Sequence, residues 1–237
     1  MNIQYHQQRC DQFGKDLGRL VPVKSLGELK RYSGCYYERQ GGREVDYFAT
    51  DVHGRIGSEI WCGMGQRYSD SYNLEALGFD VDEPNDLFPF RELIGALLWI
   101  ALLTRPDISN AVRAVARYCS APKLIHWNAA RKILGYAMRS SFGISFQKGT
   151  LTGISLISFA DADYASRSTD RRSVSGGVVM CAGGPVSWHS KTQKCVTLST
   201  TQAEYVAMSD MGKEILFLRQ VWCFMLPKAR MPCIVMY

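Results

Sequence analysis

The chain has 237 residues, 46% of them hydrophobic and 21% charged, which suits one large domain or two small ones and excludes wholesale disorder. Its longest apolar run, residues 93–103 between Arg91 and Arg105, is far too short to cross a bilayer. No basic stretch followed by an apolar one opens the chain, so neither a membrane span nor a signal peptide is expected, and the protein reads as intracellular, cytoplasmic or nuclear.

The net charge of +6 conceals an asymmetry. Residues 1–39 carry +3, residues 40–87 carry −7, residues 88–150 carry +7 and residues 151–237 carry +3. Such alternation separates the chain into four segments with different partners or histories. The eight cysteines (Cys10, Cys35, Cys62, Cys119, Cys181, Cys195, Cys223 and Cys233) form no C-x-x-C pair and have no histidine at ligand spacing, so they read as free thiols and not as a zinc site. His6, His53, His126 and His189 are isolated and read as surface or hydrogen-bonded residues.

In chain order, residues 1–39 are mixed, with strand-like stretches at 21–24 and 32–37. Residues 40–87, rich in Gly, Asp, Asn and Ser, have weak periodicity and read as an acidic connection. A buried helix is predicted over 92–103, ended by Thr104-Arg105-Pro106-Asp107, which starts the next with proline in its first turn. That second helix aligns Ile108, Ala111, Val112, Val115 and Cys119 on one stripe and puts Arg113 and Arg117 on another. A third helix is predicted over 125–138, with Arg131 and Lys132 exposed. These three make a small basic bundle.

From Gly153 the period becomes two. Strands are predicted over 154–164, 173–181 and 186–190, joined by turns at 168–170 and 183–185, an antiparallel meander. A long helix over 201–225 carries Ala203, Val206, Ala207, Met211, Ile215, Leu218, Trp222 and Met225 at spacings of three and four, and Pro227 stops it. Residues 233–237 read as a fourth strand. The expected fold is therefore α+β or α/β.

Two places could carry chemistry. Asp161 and Asp163, two apart in a strand, project to one face, and Glu204 opens the long helix. A strand-end carboxylate and a helix-start carboxylate can share a divalent ion if the helix crosses the sheet. The alternatives are turn hydrogen bonds for the aspartates and capping boxes, Thr201 with Glu204 or Ser199 with Gln202. Trp188 and Tyr205 read as core residues.

Residues 198–207 (LSTTQAEYVA), 159–164 (FADADY), 169–176 (TDRRSVSG) and 187–194 (SWHSKTQK) resemble signatures of copia-type retrotransposon Pol polyproteins. So do 90–99 (FRELIGALLW) and 104–108 (TRPDI), which in that family follow the reverse transcriptase palm, and 24–35 (KSLGELKRYSGC), which resembles the palm's last part. The resemblance covers about residues 10–39 and 88–237 and leaves 40–87 outside the family pattern. It implies a palm remnant at 1–39, a divergent connection at 40–87, a thumb- or connection-like helical region at 88–150 and an RNase H-like mixed sheet, incomplete, at 151–237.

The resemblance further implies hydrolysis of the RNA strand of RNA–DNA hybrids with magnesium. Asp161 is the first carboxylate ligand (Asp163 the second choice) and Glu204 the next. Gln202 replaces a common glutamate that is not a ligand. The family's third carboxylate would follow Tyr237, so the expectation is weak stability and little nuclease activity from this chain without the remainder of the polyprotein.

The alternative is a nucleic-acid-binding remnant, or a relic without catalysis. Arg113, Arg117, Arg131, Lys132 and Arg139, with Arg171 and Arg172 in the first hairpin, are the candidate phosphate contacts; solvated faces are the other reading of the same residues.

Overall fold

The computed structural model describes residues 3–24, 30–32, 35–40, 44–48, 89–140, 142–147, 155–166, 170–225 and 233–237. Most of the predicted acidic connection, the turn at 168–169 and the stop at Pro227 lie outside them. The described elements form a mixed α+β structure with two four-stranded sheets and a helical layer.

The N-terminal reading is corrected. Residues Ile3–Gly18 form helix α1, which the sequence did not announce, and 21–24 form no strand. The apolar residues of α1 are few, but Phe13 meets Phe224 edge-on, with ring centroids 5.9 Å apart. Val21 and Val23 stay exposed beside Pro22, which has no N–H for a ladder. Strands β1 (Arg31–Tyr32), β2 (Cys35–Gln40) and β3 (Glu44–Phe48) then run antiparallel, and β3 pairs with β4 (Ile144–Gln147). Strands β3 and β4 were both unforeseen; β3 pairs with its neighbour β2, but its other partner, β4, lies about 100 residues further along the chain.

Helix α2 (Phe90–Leu103) buries Phe90, Leu93, Ile94, Leu97, Ile100 and Ala101, a stripe at spacings of three and four. A 3-10 turn at Pro106–Ile108 leads into α3 (Ser109–Ala116), and α4 runs over Leu124–Arg139. Trp127, Ala130, Leu134 and Ala137 of α4 close one core with Ile108, Val112 and the α2 stripe. Helix α3 stops before Cys119, so the predicted stripe is shorter than the pattern suggested.

Arg105, only 2% exposed, locks this layer. Its guanidinium donates to both Asp107 carboxylate oxygens at 2.9 and 2.8 Å, and to the Ala137 and Ser140 carbonyls at 3.1 and 2.9 Å. Carbonyls in the last turn of α4 lack helical donors, and the fork of Arg105 supplies one for Ala137.

Strands β5 (Ser155–Asp163), β6 (Val174–Cys181) and β7 (Gly184–Thr192) make the predicted meander. Ala182 and Gly183, both at positive φ (50° and 80°), form the two-residue turn between β6 and β7. Helix α5 (Thr200–Met225) follows, and β8 (Cys233–Met236) lies parallel to β5, giving the order β7-β6-β5-β8. The helix starts on the Ser199 cap, one of the two predicted, with Gln202 reaching back one residue further than a capping box requires. Ser199 Oγ accepts the Gln202 N–H (3.1 Å), and Gln202 Oε1 accepts the Leu198 N–H (2.7 Å).

Ala203, Ala207, Met211 and Ile215 bury the inner side of α5 against Leu156, Val179 and Cys181. A Cβ on Gly177 would collide with Met211, so this strand position faces α5.

Candidate functional site

Strand alternation sorts the predicted carboxylates. Ser158, Ala160 and Ala162 pair with Val179, Gly177 and Ser175, the positions that look toward α5. Phe159, Asp161 and Asp163 therefore look the other way, toward the helical layer. On the same face of β7 the helical layer is docked. Trp188 Nε1 donates to the Ala101 carbonyl at 2.7 Å, and Arg113 Nε donates to Ser190 Oγ at 3.1 Å.

Between the layers lies a cavity of about 500 Å3. Phe159, Asp161, Asp163, Gly176, Trp188 and Ser190 form its sheet wall, and Pro106, Asp107, Ser109 and Asn110 its helical wall. Gly176 sits directly across from Asp161, and a Cβ there would meet nothing, so the space beside the carboxylate is open.

Glu204 does not line this cavity; it is half-buried on α5, across the sheet. Asp107 lines it, but both of its oxygens are held by Arg105. Burial by itself would raise the Asp107 pKa; the hydrogen bonds and charge of Arg105 outweigh it and hold the carboxyl below its ordinary value. Among the described residues no three His, Cys, Asp or Glu side chains gather as metal ligands. Asp161 and Asp163 share the sheet wall of the cavity, and Glu204 is not among its lining residues.

The basic candidates divide as well. Arg113 is not a free solvated cation: it holds Asn110, Ser190 and Thr192. Arg117 is exposed and lies over the Tyr118 ring, 5.6 Å from its centroid. Arg131, Lys132 and Arg139 are exposed on α4, Lys132 and Arg139 seven residues apart and so on one face. Arg171 is exposed at positive φ (55°), and Arg172 pairs with Asp170 at 3.5 Å.

Two aromatic or imidazole readings are corrected. Tyr205, read as core, is 67% exposed, because α5 turns that face outward. His189 is neither at the surface nor satisfied: its Nε2 is buried without a partner among the described residues. Burial, then Lys191, lowers the His189 pKa against the opposing pull of Asp210 and Glu214. His126 conforms, accepting the Lys123 N–H at 3.1 Å. Trp188 is half-buried, as an interlayer residue. Sequence reasoning missed Ser109, Asn110 and Ser190, since only folding unites residues some 80 positions apart.

No protein-family model matches the chain. A retrovirus-related Pol polyprotein from transposon TNT 1-94 of Nicotiana tabacum is 40% identical over 132 residues, 56% of this chain and 10% of that polyprotein. The secreted RxLR effector protein 161 of Plasmopara viticola is 36% identical over 132 residues, 55% of this chain and 91% of that protein. The putative transposon Ty5-1 protein YCL074W of Saccharomyces cerevisiae is 26% identical over 209 residues, 86% of this chain and 67% of that protein. Among solved structures, a foamy viral protease–reverse transcriptase in complex with double-stranded DNA aligns with a TM-score of 0.36 and 8% identity, over 71% of this chain and 34% of that one.

The repeated appearance of transposon polyproteins agrees with the sequence signatures and with the mixed α+β architecture. The chain belongs to the copia-like, retrovirus-related Pol polyproteins of transposons and corresponds to one piece of such a polyprotein. Among the described residues, no helix is long and apolar enough to cross a membrane.

Proposed function

We propose that the chain is the RNase H-like region of its polyprotein together with the helical segment before it, and that it binds RNA–DNA hybrid without cutting it in the arrangement described. The observation that carries this reading is the cavity beside Asp161 in a mixed sheet whose fourth strand runs parallel to the first. Its open space adjoins a carboxylate, and exposed cations on α4 and in the β5–β6 connection supply phosphate contacts. Cleavage of the RNA strand is assigned to the longer polyprotein. Asp161 and Asp163 line the cavity and Glu204 does not, which favours binding over cutting by this chain.

Fluorescence anisotropy of the purified chain with a labelled RNA–DNA hybrid tests the reading. The affinity is expected to fall linearly in log–log form as salt rises, by about 0.9 of a decade per decade of salt for each phosphate neutralised on a B-form duplex. Absent or salt-independent binding overturns it. Cleavage of the hybrid by the chain, abolished by Asp161→Ala, replaces it with an enzyme acting alone.

A further inference from the structure

We infer that α5 pairs with the α5 of a second copy of this chain, the two helices running antiparallel and approaching closest at Gly212. The inference is independent of hybrid binding and concerns a face of α5 that its own sheet leaves uncovered.

Gly212 sits in the middle of a 26-residue helix, Thr200–Met225. Glycine weakens a helix interior, so its presence there calls for a reason. Its own chain supplies none, since a Cβ on Gly212 would meet nothing within 4 Å. Gly177, by contrast, makes room for Met211. A glycine on an open helix face suits the close approach of another backbone.

The residues around Gly212 identify that backbone. Tyr205, Met208, Leu216 and Arg219 stand seven and four positions before it and four and seven after it. At 3.6 residues per turn all five fall within an arc of about 80°. Tyr205 and Leu216 are more than half exposed, and the residues that α5 buries, Ala203, Ala207, Met211 and Ile215, lie on a different face. The spacing reads the same in both directions from Gly212. A twofold axis there sets Met208 against the partner's Leu216 and Tyr205 against the partner's Arg219, each contact being made twice. A guanidinium over an aromatic ring is a favourable pair. Parallel helices in register would instead oppose Arg219 to Arg219, like charge to like.

The extent of the surface agrees. Seven apolar side chains of α5 are more than a third exposed, and Leu198, in the loop ahead of it, is 84% exposed. So much apolar surface in one place marks an interaction site, and the area is of the order of the ~800 Å2 that each partner gives to a standard interface. In the antiparallel pair Leu198 lies toward the partner's exposed Phe224, so the apolar ends cover one another.

Sedimentation equilibrium of the full chain over a range of concentrations tests the pair, and a monomer–dimer equilibrium is expected. Gly212→Gln puts a side chain on the axis and is expected to weaken the dimer about tenfold or more. Glutamine suits a helix better than glycine, and a Cβ there meets nothing in its own chain, so the variant should resist urea at least as well as the wild type. Arg219→Ala should weaken the dimer about fivefold or more, since its contact occurs twice. Disulfide trapping fixes the direction. Above the wild-type background, Gly212→Cys should crosslink two chains and Leu216→Cys should not, because only position 212 faces its own copy. A monomer at every concentration overturns the inference and leaves this face to the rest of the polyprotein. A dimer unchanged by Gly212→Gln, or one that crosslinks equally at 212 and 216 as parallel helices would, overturns it as well.

Discussion

Arg105 and Asp107 show how much one buried guanidinium can organise. With its own side chain almost wholly enclosed, Arg105 satisfies a carboxylate, two carbonyls and the Ser140 hydroxyl. Truncating it removes the donors it gives to Asp107, Ala137 and Ser140, and Arg105→Ala is expected to destabilise the chain by about 1.5–3 kcal/mol in urea unfolding. The pH dependence has a definite sign. Asp107 has a folded pKa below its ordinary value, so its contribution is present above about pH 4 and is lost as the pH falls through the folded pKa. In Asp107→Asn that acid-side loss should disappear from the stability-versus-pH curve. An identical curve for the two proteins contradicts the pair's role.

Within the sheet, neighbouring glycines of β6 have opposite demands. Gly177 faces α5, and a methyl group there collides with Met211, itself fully buried. Gly177→Ala should cost about 1–3 kcal/mol, the usual range for overpacking, while Gly176→Ala, which opens onto free space, should be nearly neutral. Equilibrium unfolding of the two variants checks the contrast, and equal costs would mean that the alternation assigned to β6 is wrong. The same alternation puts Asp161 on the face away from α5, so this stability experiment also probes the geometry of the candidate site.

These elements were unequally legible. Helix α2, the β5–β7 meander and α5 follow their apolar periodicity to within a few residues, since each buries a face whose pattern is local. Helix α1 and strand β4 carry no such pattern and meet distant partners, and β3, although hairpinned to β2, also pairs with β4.

At the scale of the molecule, the two layers meet through few polar contacts, chiefly Trp188 to the Ala101 carbonyl and Arg113 to Ser190 and Thr192. Arg113 and Ser190 should therefore be coupled. A double-mutant cycle of Arg113→Ala and Ser190→Ala is expected to give an interaction energy of about 0.5–3 kcal/mol. Hydrogen exchange should show lost protection in α2 and α3 of Arg113→Ala with the sheet unaffected. Additive effects would mean that the Arg113–Ser190 contact does not help to join the layers.

The linear order of residues was enough to determine the family, the meander with its long helix, and the candidate residues Asp161, Asp163 and Glu204, because signatures and periodicities are properties of neighbours in the chain. It could not determine which of those carboxylates share a space. Side chains two apart on a strand must project to one face, but whether a helix lies on that face depends on how the sheet is packed. Only the tertiary structure decided that α5 covers one face of β5 and the helical layer the other. It thereby placed Asn110, some 50 residues upstream of Asp161 in the chain, on the opposite wall of the same cavity.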